Sequence, residues 1–384
     1  MPAIWLSAGE ASGDRHAAAL VQALQKLRPG LRFAGLGGPL MRKAGVEIIY
    51  DPTPISTVGF LESLRASPLL RRVLQRLGAL LEQAPPALAV LVDFPGFNLR
   101  LAEMLHERQV PAVYYFPPTA WLWGAGRAQQ VARTTLAVLS VLPPEVPVYE
   151  QAGARVIPVG HPVVDYVSSA PGREEARARL GIPPDAPCFA LLPGSRRQEI
   201  DELLSPLLQA AALIRERLPG SHFLLPAAPS LDHEDLAGRV RRESPALVRV
   251  LPGEEWVYTV LRASDLALAA SGTVTLEAAC LGTPMIVIYR TSFSTYLIGR
   301  RWLHLRLIAL PNLLAGREIV PELLQNQVTA ENIAGLATEL YLDPERRRRM
   351  QSELAAVRAG LGAPGAVERA ARAVLSVLDA GPGR

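Results

Sequence analysis

Ala87-Leu88-Ala89-Val90-Leu91-Val92-Asp93-Phe94-Pro95-Gly96-Phe97-Asn98 passes from an uninterrupted apolar run to an acid and a Pro-Gly pair, and then to a helix carrying Leu99, Leu101 and Leu105. A short run that is apolar at every position reads as a strand buried on both faces, as in a parallel sheet covered by helices. Ala3 to Ala8, Ala112 to Phe116 and Leu136 to Leu142 read the same way, each followed by Gly, Pro or Asp. Their alternation with helical patterns predicts βαβ units. After the turn-rich stretch from Gly160-His161-Pro162 to Ala170-Pro171-Gly172 the pattern starts again, with strands at Cys188 to Leu192, His222 to Leu225, Leu266 to Ala270 and Met285 to Tyr289. The expectation is an α/β protein of two doubly wound parallel-sheet domains, 1–170 and 171–343. A helical tail over 344–384, broken around Gly360 to Gly365, would pack on one or both. A chain of 384 residues is long enough for both cores.

Composition narrows the class. Hydrophobic residues make up 49%, aromatics 6% and charged residues 20%, so the apolar content is mostly aliphatic and suits buried strands. Forty Lys+Arg against 36 Asp+Glu leave +4, too small an excess to argue for nucleic acid. Cys188 and Cys280, the only cysteines, lie in apolar stretches and read as small buried hydrophobes, with no disulfide framework, which fits a reducing compartment. Ala3-Ile4-Trp5-Leu6 is strand-like from the start, without a basic leader or cleavage site, and no segment approaches the roughly 18 apolar residues of a membrane span. A cytoplasmic protein is expected, meeting a membrane only at its surface.

In doubly wound sheets ligands sit at the carboxyl ends of the strands, so the loops there carry the chemistry. The first is Ser7-Ala8-Gly9-Glu10-Ala11-Ser12-Gly13-Asp14, opening a helix through Leu20, Leu24 and Leu27. Gly9 and Gly13 allow a tight turn and a close backbone approach to an anion or a hydroxyl-rich group, and an ordinary strand-to-helix turn fits equally well. Its spacing is not Gly-x-Gly-x-x-Gly, so no dinucleotide fingerprint is present. The second carries Asp93 and Asn98. A carboxylate at the end of an apolar strand needs solvent or a partner, which favours a cleft role for Asp93, whereas Asn98 reads as a helix cap.

The third loop, Leu192-Pro193-Gly194-Ser195-Arg196, gathers backbone amides, a hydroxyl and guanidinium groups at a helix start, as a metal-free diphosphate site would; Ser205-Pro206 then reads as a restart of that helix. The fourth, Ala270-Ser271-Gly272-Thr273-Val274-Thr275-Leu276-Glu277, is a second anion-ready helix start. Its Glu277, about one turn in, could accept hydrogen bonds from ribose hydroxyls or simply compensate the helix dipole. There is no Walker A lysine, Asp-x-Asp, His-Glu-x-x-His or Cys-x-x-Cys, so neither metal nor another cofactor is implied. Among the six His, His161 before Pro162 reads as a structural contact at the domain junction.

Taken in order, Ser7-Ala-Gly-Glu-Ala-Ser-Gly-Asp14, Val92-Asp-Phe-Pro-Gly-Phe-Asn98, Val159-Gly-His-Pro162, Leu192-Pro-Gly-Ser-Arg196, Ala270-Ser-Gly-Thr-Val-Thr-Leu-Glu277 and Pro311-Asn-Leu-Leu-Ala-Gly316, with Pro321-Glu322 and Gln325, resemble the lipid-A-disaccharide synthase family over nearly the whole chain. The resemblance implies a glycosyltransferase of the GT-B type, two Rossmann-like domains facing a cleft. It further implies inverting transfer of 2,3-diacylglucosamine from its UDP derivative to 2,3-diacylglucosamine 1-phosphate, giving a β-1,6 disaccharide and UDP. Carried over by position, Asp93 is the general base. Ser195, Arg196, Ser271, Gly272 and Thr273 face the departing UDP, Glu277 holds ribose, and Asn312 and Gln325 line the nucleotide side.

Gly9, Glu10, Ser12, Gly13 and Asp14, with Trp121, Trp123 and Arg127, fall on the acceptor side. In Phe116-Pro-Pro-Thr-Ala-Trp121-Leu-Trp123-Gly124-Ala-Gly126-Arg127 the chain departs from the family, which usually has Ser-Pro before the tryptophan pair and Arg directly after it. Acylated substrates imply a peripheral position on the cytoplasmic face of an anionic inner membrane; a homodimer stays open. A helix from Ser67-Pro68 would gather Leu69, Leu70, Val73, Leu74, Leu77, Leu80 and Leu81 on one face, with Arg71, Arg72 and Arg76 outside it. It could lie on lipid or, as is commoner, face the core. The stretch Phe293 to Ile308, with Trp302, is a second candidate. Two rival readings are a UDP-sugar 2-epimerase or hydrolase on the same scaffold and a non-catalytic nucleotide-binding paralogue.

Overall fold

The apolar runs do form strands buried on both faces. In the computed structural model, which describes residues 3–53, 67–123, 125–228, 231–244, 247–253, 255–290 and 307–381, every residue of β4 (Leu88–Val92), β8 (Cys188–Leu192) and β11 (Leu266–Ala270) is buried. They are central strands of two sheets in which all described pairings are parallel. The first runs β3-β2-β1-β4-β5-β6-β7 and the second β10-β9-β8-β11-β12-β13. The remaining strands of the first sheet are β1 (Ala3–Ala8), β2 (Arg32–Leu36), β3 (Glu47–Tyr50), β5 (Ala112–Tyr115), β6 (Ala137–Ser140) and β7 (Val156–Pro158). Those of the second are β9 (His222–Pro226), β10 (Val248–Leu251), β12 (Met285–Tyr289) and β13 (Glu322–Leu324).

This order places the functional loops. Strand sequence reverses direction between β1 and β4 in one sheet and between β8 and β11 in the other, and at such a point the two flanking crossovers leave on opposite faces, opening a crevice at the carboxyl ends. Ala8 stands beside Val92, so the Gly9 and Asp93 loops are neighbours; Leu192 stands beside Ala269, so the Pro193 and Ser271 loops are neighbours too.

The chain divides into one compact unit of Met1–Asp165 with Leu361–Arg384 and another of Tyr166–Gly360. The tail is shared between them. Helix Pro344–Gly360 packs on helix Thr273–Leu281 of the second unit, whereas helix Ala366–Ala380 packs on helix Ala11–Leu27 of the first. Asp165 caps that last helix, accepting from the amides of Gly365 at 2.5 Å and Val367 at 2.9 Å, and Arg28 and Asp379 form a two-point ion pair at 2.8 and 2.6 Å.

One expectation changes and one open alternative is narrowed. Ser205-Pro206 does not restart a helix, because Arg197–Arg217 runs straight through Pro206. Its buried stripe of Leu203, Leu204, Leu207, Leu208, Ala210 and Ala211 outweighs the roughly 3 kcal/mol an internal proline costs. Helix Ser67–Gln83 turns its apolar face inward: Val73, Leu77 and Leu81 are buried in the core with Leu101, Leu105 and Tyr114, and Arg71, Arg72 and Arg76 are exposed. Most of the apolar face is thus taken up by the core, with Leu69 left exposed near its start. The second membrane candidate, Phe293 to Ile308, falls outside the described residues up to position 306.

Candidate functional site

At the end of β4 the backbone turns a corner that L-residues rarely make. Asp93 and Phe94 have φ of 49° and 51°, two successive left-handed residues with no glycine, at a cost of about 1–3 kcal/mol each. Side chains from two strands and a helix hold the corner. The Asp93 carbonyl accepts from Asn98 Nδ2 at 2.8 Å and from the Tyr114 hydroxyl at 3.0 Å. Asn98 is fully buried; Nδ2 also donates to the carbonyls of Ser7 (3.1 Å) and Val92 (3.3 Å), and Oδ1 accepts from Ser7 Oγ at 2.6 Å. Asn98 is therefore not a helix cap. It lies inside helix Pro95–Glu107, whose capping residue is Phe94, and faces inward to tie the ends of β1 and β4 together.

The glycine loop beside it serves packing first. A Cβ on Gly9 would lie 2.2 Å from the Phe94 ring, so Gly9 makes room for that ring. A Cβ on Gly13 would meet Ala8 at 3.5 Å, where helix Ala11–Leu27 presses on β1. Glu10 precedes that helix as its capping residue without a side-chain cap, and Ser12 is half-buried. Asp14, expected on the acceptor side, is only 2% exposed. Its carboxylate accepts from the amides of Gly38 (2.7 Å), Leu40 (2.9 Å) and Met41 (3.0 Å), capping the helix Pro39–Lys43. With those bonds made inside the protein, Asp14 braces the neighbouring loop.

After β5, Phe116 is again left-handed, φ 56°, and stacks on His16 with ring centroids 4.0 Å apart. His161 meets both rings edge-on. Burial holds both imidazoles neutral: His161 is pushed down to about 3, and His16 well below its ordinary value by burial, then by His161 and Arg15. The Tyr149 hydroxyl donates to the Pro118 carbonyl at 2.6 Å and fixes the start of the tryptophan loop. Trp121 is half-buried, and its indole Nε1–H, out of solvent, has no hydrogen-bond partner among the described residues. Trp123 ends the short helix Ala120–Trp123 and is described in backbone only; Gly124 lies outside the described residues. Arg127 is exposed, and its charge is felt by Tyr114 and Tyr149.

Glu145, which no motif pointed to, is 1% exposed and accepts from Ser140 Oγ (3.0 Å) and the amides of Val141 (2.9 Å) and Leu142 (3.1 Å). Burial lifts it to about 7 against those bonds, and the charge of Asp93 adds to the rise.

In the second unit the Pro193 loop is capped by its own chain. Glu199 Oε2 accepts from the amides of Ser195 (2.9 Å) and Arg196 (3.1 Å), and Gly194, φ 115°, leaves the space this carboxylate needs. Those two amides, expected to cradle a diphosphate, are spoken for. What the loop presents outward is the exposed Ser195, Arg196 and Arg197 side chains. The neighbouring loop is less crowded among the described residues. A Cβ on Gly272 would meet none of them within 4 Å; Ser271 Oγ donates to the Ile308 carbonyl at 3.3 Å; and Thr273 starts the helix. Glu277, 6% exposed, accepts from the Tyr258 hydroxyl at 2.9 Å.

Asn312, expected on the nucleotide side, is tied into the protein itself. It is fully buried, and its amide is used up inside the protein. Nδ2 donates to Val320 O (2.8 Å) and Glu322 Oε1 (2.7 Å), while Oδ1 accepts from the amides of Ile319 (2.7 Å) and Val320 (2.9 Å). Gln325 follows β13 with a left-handed φ of 53°. A cavity of about 360 Å³ between Leu180, Arg215, His222 and Arg249 opens at the amino ends of β9 and β10, opposite the carboxyl-end loops of its own sheet. Among the described residues no group of three or more His, Cys, Asp or Glu could hold a metal, and no helix is long and apolar enough to cross a membrane.

A family model described as lipid-A-disaccharide synthetase matches residues 4–377. The chain is 42% identical over 385 residues to the lipid-A-disaccharide synthase of Myxococcus xanthus, covering 100% of this chain and 99% of that one. It is 40% identical to that of Geobacter metallireducens, covering 98% and 97%. The fold is close to that of UDP-GlcNAc 2-epimerase from Neisseria meningitidis bound to UDP-GlcNAc, with a TM-score of 0.64 over 98% of this chain and 99% of that one at 13% identity. That likeness gives the two-sheet GT-B architecture and nothing of the activity. The full-length match decides between the scaffold's possible chemistries: the chain belongs to the lipid-A-disaccharide synthase family, glycosyltransferases of lipid A synthesis.

Proposed function

We propose that this chain moves 2,3-diacylglucosamine from UDP-2,3-diacylglucosamine to the 6-hydroxyl of 2,3-diacylglucosamine 1-phosphate, with inversion, releasing UDP and the β-1,6 disaccharide. The observation that carries this reading is the Asp93 corner: a carboxylate at the carboxyl end of β4, at a switch point, on a strained turn held by buried hydrogen bonds. Asp93 takes the hydroxyl proton as the oxygen attacks the anomeric carbon; the sugar–phosphate bond breaks and its electron pair leaves on UDP. Arg196, whose side chain the loop presents outward, offsets the charge growing on the leaving diphosphate, with Ser195, Ser271, Gly272 and Thr273 beside it. Glu277 accepts from ribose hydroxyls, and Gln325 stands at the same end of the sheet. The buried Trp121 Nε1–H lacks a bond worth about 1–3 kcal/mol, which an acceptor oxygen supplies. Neither metal nor another cofactor takes part.

The acylated substrates bring the protein to the cytoplasmic face of an anionic membrane. Incubation of the purified chain with both diacylglucosamine substrates, in the presence and absence of EDTA, tests this reading. Disaccharide and UDP should appear in equal amounts in both arms. UDP release that does not depend on acceptor would replace transfer by hydrolysis or epimerisation, and tight UDP binding without turnover would make the chain a binding protein.

A further inference from the structure

We propose that Asn98 and Tyr114 are positioning residues of the transfer reaction: by gripping the Asp93 carbonyl together, they fix the left-handed corner and with it the direction in which the Asp93 side chain leaves the backbone. The inference rests on the reading of Asp93 as the base. A general base must meet its proton within hydrogen-bonding reach, so a small rotation of the residue that carries it is felt in turnover.

The corner has no glycine to relax it, and its shape is imposed from outside. Asn98 Nδ2 (2.8 Å) and the Tyr114 hydroxyl (3.0 Å) converge on one oxygen, that of Asp93. Each of these donors is itself held. Ser7 Oγ donates to Asn98 Oδ1 at 2.6 Å, which leaves the amide nitrogen facing the carbonyls of Ser7, Val92 and Asp93. The amide cannot flip without setting its oxygen against three carbonyls. Tyr114 is fully buried in the middle of β5, and burial lifts its phenol well above the ordinary value, so it stays protonated and can only serve that carbonyl as a donor. On the outer side, the Phe94 ring fills the place of a side chain at Gly9 and stacks on Phe97 at 5.4 Å, so the second left-handed residue is braced as well.

The conformation of Asp93 is thus set by β1 through Ser7, by β5 through Tyr114 and by the following helix through Asn98. None of these three side chains has to touch substrate. The arrangement predicts a particular kinetic signature. Loosening the grip lowers kcat and leaves both KM values alone, because binding groups are untouched while the base is misdirected.

Tyr114→Phe removes the phenol oxygen and almost nothing else, and Asn98→Leu removes the whole amide network. With both substrates saturating, turnover should fall about tenfold for Tyr114→Phe and about a hundredfold for Asn98→Leu, both KM values staying within twofold. The thermal midpoint of Tyr114→Phe, followed by circular dichroism, is the check on folding, and this variant carries the test if Asn98→Leu fails to fold. Asp93→Asn is measured alongside. If Asp93→Asn is inactive but Tyr114→Phe turns over like the native protein, or loses activity only as KM rises, the positioning inference is wrong and the base stands. If Asp93→Asn itself keeps near-native turnover, the base reading fails, and the inference falls with it.

Discussion

At the end of β4 the Asn98 amide is fully buried and makes four hydrogen bonds, to Ser7, Val92 and Asp93, whereas after β11 a Cβ on Gly272 would meet no described residue within 4 Å. The two loop pairs occupy the same place in two similar sheets and are built on opposite plans. In the first unit, buried polar groups reach across strand ends to force one backbone shape. In the second, the chain satisfies its own amides with Glu199 and leaves exposed side chains around a less crowded loop. A base has to be aimed before substrate arrives, and that requires bonds to protein. A group that holds a leaving anion gains from side chains that solvent and ligand can both reach, because such groups can exchange bonds to water for bonds to ligand.

If that contrast is right, the largest effect belongs to Asp93. Replacing it by Asn should cut turnover about a thousandfold, the range a positioned base supplies, with an unchanged unfolding midpoint; a loss below tenfold would remove the aimed group from the comparison. Next comes Asn312, which stands in the second unit but is built on the plan of the first. Asn312→Ala strands the amides of Ile319 and Val320 and should cost about 3 kcal/mol in denaturant unfolding. In the fraction that stays folded, the donor KM should be unchanged; a tenfold rise in KM at native stability would return Asn312 to the nucleotide site. Arg196→Gln should be milder, raising the donor KM about tenfold while kcat moves little, since one charge-assisted contact is lost. An unaltered KM there would mean that the diphosphate is held elsewhere.

The places of these loops were legible in the residues; their inner wiring was not. Runs such as Leu88–Val92 and Leu266–Ala270 announce central strands because both faces are buried, and once the sheet is parallel the loops after them must be the crevice. Glu47–Tyr50, Val156–Pro158 and Glu322–Leu324 passed unnoticed because short edge strands are only partly buried and show no period. The sequence leaves asparagine ambiguous at both 98 and 312 for one reason. A short amide after a strand can cap a helix, hook a backbone or meet a ligand, and the choice is made by what stands opposite, which for Asn98 is Ser7, 91 residues earlier in the chain. Glu199 was more accessible, because a carboxylate three residues after a helix start is the second half of a capping box.

The smallest expected effect tests whether the first unit's buried groups really are dry. His161 titrates near 6.5 when unfolded and is pushed down to about 3 in the fold, so its stabilising contribution is complete above 6.5 and is lost as pH falls toward 3. Between pH 7 and 5.5 that loss is about 1 kcal/mol. Glu145 runs the other way. Raised from 4.5 to about 7, it favours the folded state most below 4.5 and loses that advantage as pH rises through 7, so acidification over the same interval returns about 1–2 kcal/mol. His16, held below its ordinary value by burial and by His161, slopes the same way as His161, so the native pH dependence is made of two imidazole slopes against one carboxyl slope. Relative to the native curve, His161→Asn, which keeps an acceptor for the Val163 amide, should gain stability on going from pH 7 to 5.5, and Glu145→Gln should lose it. Denaturant midpoints of the two variants at both pH values decide the matter. If both follow the native curve, these side chains titrate as they do in water, and the first unit's strand ends are as open as those of the second.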